Sequence, residues 1–389
     1  MTSPAHTFHQ RAAELRRLLL PPRPPRDGLG LIVYPFDLNP YQEMLYGAIR
    51  ASGVECAVVY VARRARLGPL PFIIQVAAAR IRGYRLLHFH WPQFALHVGD
   101  HFLPRLSLLN ARLSLWWLRA LGVGLVWTVH NAVPHEPETS DDDAVTRMLA
   151  RDAACKIVHS ASAIEELAAM GADTERISVV PHGAYLESYS EASRPESRRR
   201  LQLPQDARIA MFFGQIRAYK GVDDLIPAWE EATGKTTGSG TVTPFLLIAG
   251  KCDDEADRRR LQRAVGEVGG RFDEGYAPHE KVPLYFAAAD VVVLPFRQVT
   301  TSGSALLALS LGRPVVAPRV GALRDLPADV GFLYDDGELV SALGQALAAP
   351  QAQLDEYSDA ARRYAASLSW DHIAVATLDV YRHAASRGR

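Results

Sequence analysis

Phe212-Phe213-Gly214-Gln215-Ile216-Arg217-Ala218-Tyr219-Lys220-Gly221 joins two different patterns. Before it, Ile209 to Phe213 is a short apolar run that reads as a buried strand. After it, Val222, Leu225, Ile226 and Trp229 recur at helical spacing. A glycine-bearing turn carrying two cations, Arg217 and Lys220, therefore sits between a strand and a helix. In an open α/β sheet such a turn lies at the carboxyl end of a strand, where ligands bind. Glycine lets the backbone come close to a ligand, and a helix start offers unbonded amide hydrogens to an anion. Arginine adds a planar fork and lysine a point charge. The turn suits phosphate; the plainer alternative is an ordinary loop with two solvated cations.

The same alternation extends in both directions. In the first half, apolar runs at 29–34, 54–61, 86–89, 124–129, 156–159 and 177–180 read as strands. Helical periodicity falls at 42–52, 103–121, 141–154 and 163–170, and an Arg-rich helix at 8–20 precedes them. A polar segment from Glu187 to Arg200 reads as a linker, after which strands at 209–213, 245–249, 291–294 and 314–317 alternate with helices at 222–232, 254–268, 282–288 and 304–311. Phe272 to Tyr276 reads as a turn, and a last helix opens at Trp370-Asp371. Strands alternating with helices imply a parallel, doubly wound sheet in each half.

A length of 389 residues suits two domains, and 48% apolar with 22% charged residues is a globular composition. Cys56, Cys155 and Cys252 are widely spaced, which argues against a zinc ribbon or disulfide framework and fits a reducing cytoplasm. The opening apolar stretch, Leu18-Leu19-Leu20, is too short for a secretory signal. Leu115 to Val129 contains Arg119, Gly122 and Gly124 and reads as a helix end plus a strand, not a span. The net charge of zero hides an asymmetry: residues 1–135 hold 15 Arg, no Lys and 6 acidic residues, a surplus of +9. Arg105, Arg112 and Arg119 fall on nearly one helical face beside Leu106, Leu109, Leu113, Trp116 and Trp117. Such a helix could rest on anionic headgroups; packing against its own sheet is the plainer reading.

In their order and spacing, several stretches resemble the GT-B glycosyltransferases, specifically the retaining, nucleotide-sugar-dependent family 4. They are Thr128-Val129-His130-Asn131, Val179-Val180-Pro181-His182-Gly183, Gly214…Arg217…Lys220-Gly221, Ala287-Ala288-Ala289-Asp290 running into Val291 to Pro295, and Gly312-Arg313-Pro314-Val315-Val316-Ala317. The resemblance implies an α/β fold of two Rossmann-like βαβ domains facing across a cleft, with a C-terminal helix crossing back to the N-terminal domain. It divides the chain into an Arg-rich helix and Pro-rich connector (1–27), an acceptor domain (28–190), a donor domain (191–369) and the returning helix (370–389).

The resemblance implies transfer of a sugar from a nucleotide-diphosphate sugar to a hydroxyl of a glycolipid, polyprenyl-linked glycan or other saccharide. No cofactor beyond that co-substrate, no metal and no nucleic acid are expected. Arg217 and Lys220, with Gly214, would neutralise the diphosphate and the charge that grows as the nucleotide leaves. Glu274, Gly275 and Tyr276 correspond to the nucleobase pocket. His130 is assigned to the donor sugar and to assisting the reaction, and Asp37, Asn39, Tyr41, Asn131 and His182 to the acceptor or transferred sugar.

The sequence also departs from the family. The positions of the usual Glu-x7-Glu pair hold Val299 and Leu307; Thr300-Thr301-Ser302-Gly303-Ser304 stands there instead. That hydroxyl-rich helix start reads as a second anion cradle, built by Thr301, Ser302, Gly303 and Ser304; a plain serine N-cap is the bland alternative. The missing carboxylates leave the stereochemistry open, and Glu136, beside His135, is a candidate base for an inverting reaction. His88, His90, His97 and His101 lack clustered carboxylates and read as loop and core histidines, not a metal site. Three alternatives stand beside the polymer or lipid acceptor: a small soluble acceptor, a non-catalytic nucleotide- or glycan-binding protein, and, more distantly, a dehydrogenase, for which no GxGxxG follows either opening strand.

Overall fold

Parallel strands covered by helices on both faces must be apolar along their length. The central strands of both sheets are such runs. The computed structural model describes residues 23–24, 29–34, 40–54, 56–58, 70–91, 104–131, 142–236 and 243–387. The expected helix at 8–20 and the positions Asp37, Asn39, His97, His101, His135 and Glu136 lie outside these. The chain forms two units, one ending at His182 and rejoined from Trp370 onward, the other Gly183–Ser369. That division falls ahead of residue 190, where the sequence reading placed it.

In the first unit β1 (Leu31–Tyr34), β2 (Cys56–Val58), β3 (Leu86–Phe89), β4 (Gly124–Thr128), β5 (Cys155–Val158) and β6 (Ile177–Val179) form one parallel sheet. Their order is β2-β1-β3-β4-β5-β6. Helices α1 (Pro40–Ala51), α2 (Leu70–Ile81), α3 (Pro104–Ala120), α4 (Asp142–Asp152) and α5 (Ser162–Ala169) connect the strands; α2 has no counterpart in the sequence reading. Alternate strand residues point to opposite faces. Ile32, Tyr34, Leu87, Phe89, Leu125 and Trp127 share a core with residues of α2 to α5, and Leu31, Val33, Leu86, Val126 and Ile157 share one with α1. The C-terminal helix, Trp370–Arg387, joins this second face through Ile373, Ala374, Leu378, Tyr381 and Ala384, which recur at helical spacing.

The second unit holds α6 (Arg194–Arg200), β7 (Arg208–Phe213), α7 (Val222–Thr236), β8 (Pro244–Gly250), α8 (Glu255–Glu267), β9 (Arg271–Glu274), α9 (Val282–Ala288), β10 (Val291–Val293), α10 (Gly303–Ser310), β11 (Val315–Pro318), β12 (Gly331–Tyr334), α11 (Leu339–Ala348) and α12 (Gln351–Ser367). The C-terminal helix is thus α13. The sheet is again parallel, in the order β12-β11-β10-β7-β8-β9. The winding direction reverses between β7 and β10, so the open crevice lies beyond the carboxyl ends of those two strands. This is where the Gly214–Gly221 turn and the Thr300–Ser304 stretch emerge.

Two readings are corrected here. Phe272 to Tyr276 is not simply a turn, because Arg271–Glu274 is β9, the edge strand of the sheet; its polar residues hid it. The supposed linker contains α6, and its Arg198 is fully buried. Arg198 donates to Asp290 Oδ2 at 2.9 Å and to the carbonyls of Ala288, Gln205 and Ala207. Asp290 also accepts from the Ile209 amide at 2.6 Å and pairs with Arg194 at 2.6 Å. One carboxylate therefore ties α6 to the starts of β7 and β10. Asp290→Ala would leave the Arg198 guanidinium buried and uncompensated, at a cost of about 3–5 kcal/mol. A chemical-denaturation midpoint lowered accordingly is the expected result.

Candidate functional site

Glycine positions fix the site in the second unit, because main chain meets main chain there. Gly214 follows β7 with φ +134°. A β-carbon on Gly250, at the end of β8, would lie 1.8 Å from the Gly214 carbonyl oxygen. Gly221 ends the 3-10 turn Ala218–Lys220 in the left-handed region at φ +65°, and a β-carbon there would lie 1.9 Å from the Pro295 carbonyl oxygen. These contacts hold the turn after β7 against the end of β8 and the segment after β10. The result is a convergence: Lys220 Nζ and Ser304 Oγ come within 3.3 Å and 3.4 Å of the point a Gly214 β-carbon would occupy. The two cradles read from the sequence thus meet over Gly214.

Ser302 caps α10, its hydroxyl accepting from the Ala305 amide at 3.1 Å. The amides of Gly303 and Ser304 belong to the first turn, where helix geometry provides no intrahelical acceptor. Thr301 Oγ1 is buried and has no hydrogen-bond partner among the described residues. Arg217 Nη2 lies 2.9 Å from Asp253 Oδ2, and Lys251 Nζ lies 2.6 Å from Oδ1 of the same carboxylate, to which Gln215 also donates. The hydrogen bond from Lys251 holds the Asp253 carboxyl below its usual range. Lys251 Nζ also sits 5.3 Å from the ring centre of the exposed Tyr276. Gly275, with φ +115°, donates its amide to the Gly250 carbonyl at 3.2 Å, which brings Glu274, Gly275 and Tyr276 to the end of β8. Val299 is buried in the core and Leu307 packs partly against it. Both carboxylate positions of the family pattern have become packing positions.

The first unit contains a separate constellation that sequence reading only half saw. Four neighbouring strands, β3 to β6, each present a histidine at or beyond the carboxyl end: His90, His130, His159 and His182. Adjacent rings lie 5.4 Å apart at each of the three steps. Tyr41, at the start of α1, packs against all four at 4.7–5.8 Å, and Trp91 stacks on His130 at 4.5 Å. Asn131 follows His130 and is half-buried. Burial, reinforced by the neighbouring histidines, holds His90 and His130 well below the ordinary histidine value; His88 falls to about 3 and His159 to about 4. His88, His90, His130 and His159 therefore stay neutral at physiological pH. His159 Nδ1 contacts the Val180 carbonyl at 2.9 Å, so Nδ1 carries the proton. Among the described residues no group of three or more His, Cys, Asp or Glu is arranged to hold a metal ion.

Comparison with known proteins now decides the family. The Glycosyltransferase Family 4 profile matches residues 40–188, and that of Glycosyl transferases group 1 matches residues 207–349. The chain belongs to the GT-B glycosyltransferases of family 4. This glycosyltransferase is 28% identical over 299 residues to D-inositol 3-phosphate glycosyltransferase 1 of Catenulispora acidiphila, covering 72% of each chain. It is 28% identical over 334 residues to the GDP-mannose:glycolipid 4-beta-D-mannosyltransferase of Xanthomonas campestris pv. campestris, covering 82% of this chain and 83% of that one. Its fold resembles the sucrose-phosphate synthase of Thermosynechococcus elongatus (TM-score 0.69, 21% identity, 91% of this chain and 98% of that one). It also resembles Anabaena HepE in complex with UDP-glucose (TM-score 0.64, 18% identity, 90% and 98%).

Burial, with Arg217 adding repulsion, lowers Lys220 to about 8. A bound diphosphate favours the ammonium form, so binding should take up protons near that pH. Nucleoside diphosphate affinity is then expected to fall as pH rises through about 8, where the phosphates no longer titrate, and Lys220→Arg should flatten that limb. In the free protein the sign is opposite: stability should rise from about 8 toward the ordinary lysine value of 10.5. Calorimetric titration in two buffers of different ionisation heat measures the proton uptake.

Proposed function

We propose that this glycosyltransferase moves a hexose from a nucleoside-diphosphate sugar to a hydroxyl of a glycolipid, polyprenyl-linked glycan or other saccharide, with retention and without a divalent metal. The convergence of Lys220, Ser304 and the start of α10 on Gly214, at the switch point of the second sheet, carries the reading. A diphosphate placed there meets an ammonium, a hydroxyl and the amides of a helix start. Arg217 would exchange the Asp253 carboxylate for a phosphate oxygen, so the ion pair restrains the guanidinium before the donor arrives. Charge on the departing nucleotide grows during bond breaking, and Arg217 and Lys220 would stabilise it in place of a metal ion. Neutral His130 would contact the transferred sugar, with Tyr41, Asn131 and His182 lining the same place. With Val299 and Leu307 unable to hold sugar hydroxyls, that work falls to Thr301, Ser302 and Ser304. Glu274, Gly275 and Tyr276 would receive the base, with Lys251 beside the Tyr276 ring.

The acceptor reading draws on α3. Leu109, Leu113 and Trp116 are 51%, 50% and 62% exposed and form one stripe at helical spacing, with Arg112 and Arg119 also exposed. The neighbouring α2 exposes Ile74 and Ile81. Apolar side chains interleaved with arginines suit an anionic membrane surface at the cytoplasmic face, where a lipid-linked acceptor would be presented. Among the described residues no helix is long and apolar enough to cross a membrane.

Transfer from a panel of UDP- and GDP-hexoses tests the reaction. The wild type should turn over at least one donor with no loss in EDTA, and Arg217→Ala with Lys220→Ala should lower kcat at least about 1000-fold. Near-wild-type turnover in that double variant would remove the assigned role. For the acceptor side, Leu113→Ser with Trp116→Ser should weaken sedimentation with anionic vesicles about fivefold or more, and salt should weaken the wild type. Vesicle binding that is absent, or insensitive to both, would favour a small soluble acceptor.

A further inference from the structure

The histidines of the first unit are joined by more than packing. His90 Nδ1 lies 3.1 Å from His130 Nε2. On its other side His90 Nε2 meets the Tyr46 hydroxyl, which lies 2.9 Å from His88 Nδ1. His88 in turn places Nδ1 at 2.7 Å from the Tyr381 hydroxyl and Nε2 at 2.7 Å from Thr128 Oγ1. A continuous chain, Thr128–His88–Tyr46–His90–His130, buried up to the partly exposed His130, therefore runs from within the sheet to the histidine assigned to the sugar. His88 and His90 are 0% and 1% exposed.

Neutral imidazole donates from one nitrogen and accepts at the other. Burial keeps these rings neutral, so the protons along the chain are not independent. If His130 Nε2 donates to His90, then His90 donates to Tyr46, Tyr46 to His88 and His88 to Thr128, and His130 Nδ1 is left as an acceptor. If the chain runs the other way, His130 Nδ1 carries the proton. Any mixture loses a buried hydrogen bond, a cost of about 1–3 kcal/mol.

We infer that His90, oriented by Tyr46, is a positioning residue that fixes the tautomer and ring orientation of His130. The step at the sugar rests on the proposed transfer reaction, but the coupling of the two rings does not. The groups facing His130 among the described residues are His90, His159, His182, Tyr41 and Trp91, none of them a carboxylate or a lysine or arginine. Nothing there holds the ring by charge. Among the described residues, the hydrogen bond to His90 is what distinguishes its two nitrogens.

Isosteric replacement separates this from a packing role. Asparagine carries its amide as many bonds from Cβ as Nδ1 is, and glutamine carries it one carbon further, near Nε2. His90→Asn can still reach His130 Nε2, whereas His90→Gln can reach only toward Tyr46. Imidazole nitrogen shifts of His130 in the full chain, read by 15N NMR without donor, should show one tautomer in wild type and a hydrogen-bonded Nε2 in both wild type and His90→Asn, whose amide can donate or accept. They should move to a tautomer average in His90→Gln. With donor and acceptor, His90→Gln should lose at least about tenfold in kcat relative to His90→Asn, with the donor KM within about threefold. Unchanged His130 shifts in His90→Gln, or equal behaviour of the two variants, would overturn the inference. Absence of transfer by the wild type itself, with the shifts behaving as expected, would count against the reaction and leave the positioning standing.

Discussion

Main-chain contact at three glycines is the constraint on which the second unit depends. Side chains at Gly221 and Gly250 would collide with the carbonyl oxygens of Pro295 and Gly214, and one at Gly321 would lie 1.5 Å from the Val299 carbonyl oxygen. Each contact closes a gap between loops that leave the sheet at its carboxyl edge. Because β7 and β10 adjoin at the switch point, those loops form one surface. The charged and hydroxyl groups on it are exposed to one another only because the backbones beneath them touch. The buried Asp290–Arg198 pair, joined by the partly exposed Arg194, fixes the opposite end of the same strands. The strand pair is thus anchored below and closed above.

Much of this was legible in the sequence. Helices cover both faces of each sheet, so strands such as Ile209–Phe213 and Val291–Leu294 read as unbroken apolar runs, and a glycine with two cations marked the ligand edge. What escaped was set by tertiary context. Arg271–Glu274 is an edge strand with polar side chains, and local pattern favours a turn there. Arg198 lies in a charged run that resembles a linker, yet a single carboxylate far along the chain makes its burial tolerable. The His-x-His pair at 88 and 90 looked like core and loop histidines. Core they are, but only the sheet order places His90 beside His130 and extends the row to His159 and His182. Sequence spacing carries no sign of that, because residues 90, 130, 159 and 182 lie on separate strands.

The two units solve their chemistry by different means. The second concentrates positive potential, with Lys220 partly desolvated so that its charge acts in a lower dielectric. The first keeps a crowded set of titratable rings uncharged through burial, leaving hydrogen-bond polarity as the quantity it controls. Replacement of two carboxylates by Val299 and Leu307 belongs to the same logic on the donor side, since apolar residues there consolidate the loop that carries the hydroxyls.

The most direct test of this account is hydrogen exchange of the full chain with and without saturating UDP or GDP. The amides of residues 214–221 and 300–306 should be slowed together, with the first unit unchanged, because in the proposed site one diphosphate engages both segments. Slowing of neither segment by any nucleoside diphosphate, or of one segment without the other, would contradict it.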